Sequence, residues 1–309
     1  MRNLFLILFT LLIVSGCKKE KKISVEVKEL PNYPSASGIE YLNGQVYIVG
    51  DDANRLLVLD SNLIAIDSIT LYAFIEKRIP KNVKADLEGI SFTPDKKLLI
   101  AGSGSLAPYR NIAWMVDPVT KQKDILLLDT FYQRLKQNGI NEVNIEGIAS
   151  MSGWIVLSNR GNKGYPKNHL IFTEMNFWKR QPDVEISVAL AGFNSDTSSF
   201  NGVSGMTYSA KTDALIMTVS TEDTRNSLDD GAIGKSYLWI IKNISSKRRW
   251  KAINPDKIID LDETDARFKG HKIESVCIMK EKDRSYHLLL AADNDNGSST
   301  LFKLVVPMK

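Results

Sequence analysis

Glu88, Glu146 and Glu274 hold the same place in three copies of one short phrase: Asp86-Leu87-Glu88-Gly89-Ile90, Asn144-Ile145-Glu146-Gly147-Ile148 and Lys272-Ile273-Glu274-Ser275-Val276. Two more copies, Ser35-Ala36-Ser37-Gly38-Ile39 and Gly202-Val203-Ser204-Gly205-Met206, carry serine at that place. Carboxylates at equivalent points of a repeat meet if the repeats surround an axis, and their repulsion must then be offset. A hard divalent cation such as Ca²⁺, which prefers several oxygen ligands, would do so with Glu88, Glu146 and Glu274 as the metal ligands. Backbone N–H donors of a neighbouring repeat or a raised pKa on one glutamate would serve equally. Under the backbone reading the glutamates only tie one repeat to the next.

Other groups that could join them are confined to polar turns. Asp51 and Asp52, Asn159 and Arg160, Glu222, Asp223 and Arg225, and Asp293 and Asp295 all fall between apolar strand patterns. They form a candidate ligand-binding rim, with the arginines placed to meet an anionic ligand. Of three histidines, only His271 lies on this polar side, which makes it the candidate general acid or base. Asp293-Asn294-Asp295-Asn296-Gly297 is loop-like, but it has glycine at the fifth place and no glutamate at the twelfth, unlike an EF-hand. A nucleophile elbow, P-loop, dinucleotide fingerprint and H-E-x-x-H are all absent, and no organic cofactor is called for.

The third places of the phrase lie 51, 58, 58 and 70 residues apart. Self-similarity at such a period marks a repeat architecture. Each copy opens a run of short apolar strands with turn chemistry between them, such as Asn43-Gly44 and Pro94-Asp95. The fifth unit has three strands, while Ile23 to Leu30 is a period-two strand without a unit. The expected fold is therefore all-β, a five-bladed β-propeller of four-stranded blades, with the N-terminal strand completing the last blade and closing the ring. A six-bladed ring would need strands that the Ser204–Glu274 interval lacks. Tyr72 to Arg78 and Thr130 to Gln137 have the length for two helical turns each. The phrases and the turns between second and third strands emerge on one face; the opposite face reads as structural turns.

The ends belong to something else. Leu4 to Val14 is an apolar run too short to span a bilayer, preceded by Arg2 and followed by Val14-Ser15-Gly16-Cys17. This resembles a bacterial lipobox, in which Cys17 is lipidated; an ordinary signal peptide or a short N-terminal anchor is the alternative. The expected organisation is a signal peptide at 1–16, a lipidated cysteine and basic tether at 17–22, and one propeller at 23–309. The net charge of +4 comes entirely from Arg2 and from Lys18-Lys19-Glu20-Lys21-Lys22, because residues 23–309 hold 35 basic and 35 acidic residues. A neutral body is unlike a nucleic-acid binder. Cys277, the other cysteine, lies in an apolar strand and reads as a small buried hydrophobe.

The pairing of Asp86-Leu87-Glu88-Gly89-Ile90 with Pro94-Asp95, and of Ser37-Gly38-Ile39 with Tyr47-Ile48-Val49 and Asp51-Asp52, resembles the phytase-like esterase domain of bacterial propeller proteins. That resemblance implies envelope lipoproteins, some of which hydrolyse esters or phosphoesters. The Glu-Gly strand opening is also similar to gluconolactonase-type propellers, which implies Glu88, Glu146 or Glu274 as a ligand of a divalent metal. The resulting expectation is a monomeric lipoprotein of a bacterial envelope, periplasmic or at the surface, that binds a small molecule, an envelope protein or a divalent cation on its polar axial face. The alternative is a metal-assisted hydrolase of an ester, lactone or phosphoester.

Overall fold

Five small antiparallel sheets surround a common axis in the computed structural model, which describes residues 23–192, 200–222, 231, 233–282 and 284–308. Blade 1 is Ala36–Leu42, Gln45–Gly50, Arg55–Asp60 and Ala65–Thr70; blade 2 is Leu87–Phe92, Leu98–Gly102, Ile112–Val116 and Lys123–Leu127. Blade 3 opens with Ile145–Met151, blade 4 with Asn201–Ser209 and blade 5 with Lys272–Lys282. The N-terminal strand Val25–Leu30 is the outermost strand of blade 5. It pairs antiparallel with Ser299–Pro307, from Val25 opposite Leu304 to Leu30 opposite Ser299. The ring therefore closes with the first described strand on the last, as the leftover strand predicts. The cores lie between blades. Ile48, Ala36 and Leu59 of blade 1 pack with Cys277, Leu289 and Leu301 of blade 5, so closure buries apolar surface as well as pairing an edge.

The phrase is the innermost strand's opening, and in all five blades the pairing slips at the same place. The register shifts between Ala36 and Gly38, Leu87 and Gly89, Ile145 and Gly147, Val203 and Gly205, and Ile273 and Ser275. Each third residue is thus the extra residue of a β-bulge, a device that bends the strand and re-aims a side chain. The glycine that follows allows the blades to approach. A Cβ on Gly205 would lie 2.5 Å from the Glu274 carbonyl oxygen, and one on Gly38 would lie 2.8 Å from that of Glu88.

The two kinds of third residue do different work. Ser37 Oγ donates to the Leu87 carbonyl at 2.5 Å, and Ser204 Oγ donates to the Ile273 carbonyl at 2.6 Å. Ser275 Oγ accepts from Ile39 N at 3.1 Å across the ring closure. At these three junctions the phrase ties neighbouring blades through a serine. Among the described residues no backbone donor of the next blade reaches the glutamates; Glu146 accepts from Asn144 and Glu274 pairs with Lys272 instead.

The helix expected at Thr130 to Gln137 is present, and three other local expectations change. Asp129–Gln137 is a helix, with Phe131, Tyr132 and Leu135 on its buried face. Residues 72–78 are an irregular connector instead, because Ile79 N donates to the Asp52 carbonyl and Arg78 bridges to Ala53, with Pro80 next in line. Blade 3 has a fifth strand: Ala252–Ile253, from the long fourth unit, adds parallel to Ile186–Ala191. The face opposite the phrases is more than turns, since it holds an opening of about 520 Å³ lined by Glu40, Tyr41, Phe92 and Tyr208 among others.

Candidate functional site: the axial cavity

A cavity of about 350 Å³ sits at the phrase end of the axis. Two periodicities build it. Alternate residues of a strand share a face, so the first and third places of a phrase point the same way, and the bulge turns them toward the axis. Ser35 and Ser37, Asp86 and Glu88, Asn144 and Glu146, and Lys272 and Glu274 accordingly line the cavity in pairs. Blade 4 has Gly202 and Ser204 at these places and contributes differently. A Cβ on Gly202 would lie 2.6 Å from Arg160 Nε, so this glycine leaves room for the Arg160 guanidinium to cross from blade 3.

The side chains sort into two poles. At the first, Lys84 Nζ bridges Asp51 and Asp86, 2.8 Å from Asp86 Oδ1. Arg110 Nη1 lies 2.6 Å from Asp86 Oδ2, which also accepts from Ser103 Oγ at 2.6 Å. Asp51, Asp86 and Glu88 offer carboxylate oxygens that all lie within 4.8 Å of one another. Beside them Arg78 Nε holds Asp52 Oδ2 at 2.6 Å. At the second pole, Arg160 Nη2 lies 2.9 Å from Glu222 Oε2, and Lys272 Nζ lies 3.3 Å from the same oxygen and 2.8 Å from Glu274 Oε1. Asn144 Nδ2 donates to Glu146 Oε1 at 2.6 Å, while Arg160 Nη1 is 4.0 Å from Glu146 Oε2.

Charge is not balanced. Nine carboxylates line the cavity against six lysines and arginines. Burial acts to raise Asp86, but Lys84 and Arg110 outweigh it and hold its carboxyl below the ordinary range. Burial likewise opposes Glu222, and Lys272 with Arg160 brings it down. Glu88 has no such help. Burial and then the negative charges of Glu146, Asp86, Asp51 and Glu274 drive its pKa well up. Its surface is partly open to the cavity, yet it lies deep among protein atoms, and the neighbouring acids push in the same direction as the burial. Glu146 rises to about 8, burial first and Glu274 second. Arg160 acts against this rise, but at 4.0 Å it is too far to hydrogen-bond and does not reverse it. Asp51 rises to about 6 and Asp293 to about 7, burial leading in both.

A pH dependence follows. The folded protein keeps a proton on Glu146 up to about pH 8, whereas the unfolded chain releases it near the ordinary carboxylate pKa of about 4.3. The native state thus binds more protons between those values, and stability falls as pH rises through that window. The lowered Asp86 and Glu222 act oppositely, and their contribution is lost only as the solution turns acid. Urea unfolding at pH 5 and pH 8 is expected to show a loss to which Glu146 contributes at most about 1.4 kcal/mol per pH unit, with the raised Glu88, Asp51 and Asp293 acting in the same direction. Glu146→Gln should lessen that slope; an unchanged slope would assign the protonation elsewhere.

Several buried polar atoms of the walls have no hydrogen-bond partner among the described residues: Ser35 Oγ, Asp51 Oδ1, Asp52 Oδ1, Arg160 Nη1 and Glu274 Oε2. Unsatisfied buried groups are costly and clustered ones point to a ligand site.

The residues expected from sequence divide as follows. Glu88, Glu146 and Glu274 share the cavity, as do Asp51, Asp52, Arg160, Glu222, Asp293 and Asp295. The tightest carboxylate cluster among the described residues is Asp51, Asp86 and Glu88, not the three glutamates. Arg160 is buried rather than a rim charge. Asn159 is a framework residue, its Oδ1 accepting from Asn144 N at 2.7 Å and its Nδ2 donating to the Glu142 carbonyl. His271 lies outside the cavity lining, 3.2 Å from Asn294 Oδ1 and edge-on to Phe302. Asp223 and Arg225 fall outside the described residues. Lys84, Asp86 and Lys272 were missed. For Asp86 and Lys272 the signal was the two-residue spacing from Glu88 and Glu274, which places a like-facing charge beside each glutamate; Lys84, four residues before Glu88, had no such signal.

The family described as "Family of unknown function (DUF6929)" matches residues 32–306. No curated protein matches the sequence. Among solved structures, glutaminyl cyclase of Myxococcus xanthus is similar with a TM-score of 0.52 at 11% identity, over 91% of this chain and 97% of that one. A catalytically inactive virginiamycin B lyase of Staphylococcus aureus, solved with quinupristin, gives 0.42 at 11% identity, over 92% and 100%. A protein of unknown function from Bacteroides thetaiotaomicron gives 0.43 at 9% identity, over 91% and 76%. At such identities the likeness is one of fold.

Proposed function

Because the chain belongs to the DUF6929 family, a family of unknown function, we propose its role from the chemistry of the cavity: it is a ligand-binding propeller whose axial site takes a small ligand bringing positive charge, foremost a divalent cation such as Ca²⁺. One observation carries this reading. Glu88 is a deep carboxylate surrounded by acids, and no ion pair or hydrogen bond reaches its carboxylate among the described residues. The donor set suits a hard cation, since Glu88, Asp51 and Asp86 supply oxygens only. Lys84 and Arg110 already neutralise Asp86, so Glu88 and the unpartnered Asp51 Oδ1 would be the principal ligands. Titrating Ca²⁺ into thermal unfolding of the wild type and of Glu88→Gln tests it. The wild type should be stabilised and the variant should not respond.

The second reading, a metal-assisted hydrolase of an ester, lactone or phosphoester, draws on Arg160 Nη1 as a donor for an oxyanion. With His271 outside the cavity lining, water activation there would fall to a carboxylate of raised pKa such as Glu146. The binding reading needs no such step and accounts for the charge imbalance directly.

We also propose that the protein is held at a bacterial envelope membrane by a lipid on Cys17. The lipobox-like Val14-Ser15-Gly16-Cys17 supports this. The topology is compatible with it. Leu30 pairs with Ser299, which pairs with the cavity residue Asp293, whereas Val25 lies toward the other end of blade 5. A tether entering there would direct the cavity away from the membrane. Mass spectrometry of protein from a bacterial host should find residues 1–16 removed and acyl chains on Cys17; an unmodified cysteine rules the anchor out.

A further inference from the structure

Arg160 is buried, and its two terminal nitrogens have unequal surroundings. Nη2 is engaged twice, by Glu222 Oε2 at 2.9 Å and Ser220 Oγ at 3.3 Å. Nη1 has no hydrogen-bond partner among the described residues, although the residue is only 7% exposed and lines the cavity. Its one nearby acid, Glu146, stands off at 4.0 Å and already accepts from Asn144. The position is held rather than incidental. Gly202 clears the space through which the guanidinium passes, and Glu222, itself fixed by Lys272, fixes its far edge. A planar guanidinium fixed on one edge presents its other N–H group in a set direction, which suits an oxyanion.

We infer that the ligand of the axial cavity carries an oxyanion, carboxylate or phosphate in class, that docks on Arg160 Nη1, and that it enters only together with a cation at the Glu88 pole. The inference rests on the cation-binding reading above. Its second half follows from charge. Carboxyl groups outnumber lysines and arginines in the lining by nine to six, so an anion alone finds no net attraction there. A cation at Glu88 and Asp51 offsets most of that excess, so each partner raises the other's affinity. The cavity, at about 350 Å³, is large enough for a small molecule bearing one such group and no more than a few additional atoms.

Calorimetric titration of the purified chain tests this with Ca²⁺, acetate and methyl phosphate, each alone and in combination. Acetate or methyl phosphate should bind at least tenfold more tightly with saturating Ca²⁺ than without it, and Ca²⁺ should tighten by the same factor when the anion is present. Whichever anion shows the larger factor identifies the class. Gly202→Ala, which crowds the guanidinium without removing it, should reduce the factor while leaving Ca²⁺ binding alone intact. Ca²⁺ binding with no anion coupling overturns this inference and leaves the cation reading standing. Absence of Ca²⁺ binding overturns the cation reading itself. Anion binding that is independent of Ca²⁺ overturns the coupling.

Discussion

Replacing Arg160 with methionine is expected to destabilise the fold by about 3–5 kcal/mol, the range for removing one partner of a buried ion pair. Arg160 is the cation that faces Glu222 and Glu146 on the blade 3 side; Arg160 and Glu146 are buried and Glu222 is partly buried. Methionine is close in length and fills the passage over Gly202, so the loss isolates charge and hydrogen bonding from volume. Lys272 would remain on Glu222 at 3.3 Å, which keeps the effect toward the lower end. A second replacement, Glu222→Gln in the same background, should recover part of the loss, because the uncompensated buried charge is then gone. Chemical denaturation of the single and double variants measures both. A loss below about 1 kcal/mol would mean that Arg160 acts as an ordinary surface charge.

Saturating Ca²⁺ should stabilise the wild type by about 2.7 kcal/mol when its concentration is a hundred times the dissociation constant. The sign of the accompanying change in Glu88→Gln is the informative part. At neutral pH the folded protein either protonates Glu88 or keeps a charge among acids, and glutamine removes that cost. The variant without metal should therefore be as stable as the wild type or more so, while its response to Ca²⁺ disappears. A variant that loses stability and still responds to Ca²⁺ would place the ion elsewhere. Lys84 provides an internal comparison. Its ammonium already bridges Asp51 and Asp86, so Ca²⁺ competes with it only at Asp51.

Much of the architecture is legible in the chain. The recurrence of the phrase around Ser37, Glu88, Glu146, Ser204 and Glu274 implies five blades, and the unmatched strand before Leu30 implies how the ring closes. Both are local matters, set by period-two apolar patterns and by turn residues. The polar face was legible too, since the connection order of a four-stranded blade sends the phrases and the turns at Asp51, Arg160, Glu222 and Asp293 to the same end. The first place of the phrase was not recognised as part of the site because it varies among Ser35, Asp86, Asn144, Gly202 and Lys272. In two of the copies that variation carries the charge: a carboxylate at Asp86 and an ammonium at Lys272.

The sequence by itself determined the repeat, the ring and the end of the ring where polar groups gather, because these depend on periodicity along the chain. Tertiary structure decided which of those groups meet. Asp51 finds Lys84, Arg160 crosses Gly202 to reach Glu222, and Glu88 is left among acids. It also decided that the serines of the phrase tie the blades together and its glutamates face the cavity. The reason is that ion pairing and burial act between blades, over sequence separations such as the 62 residues between Arg160 and Glu222. No pattern within a single repeat encodes those distances.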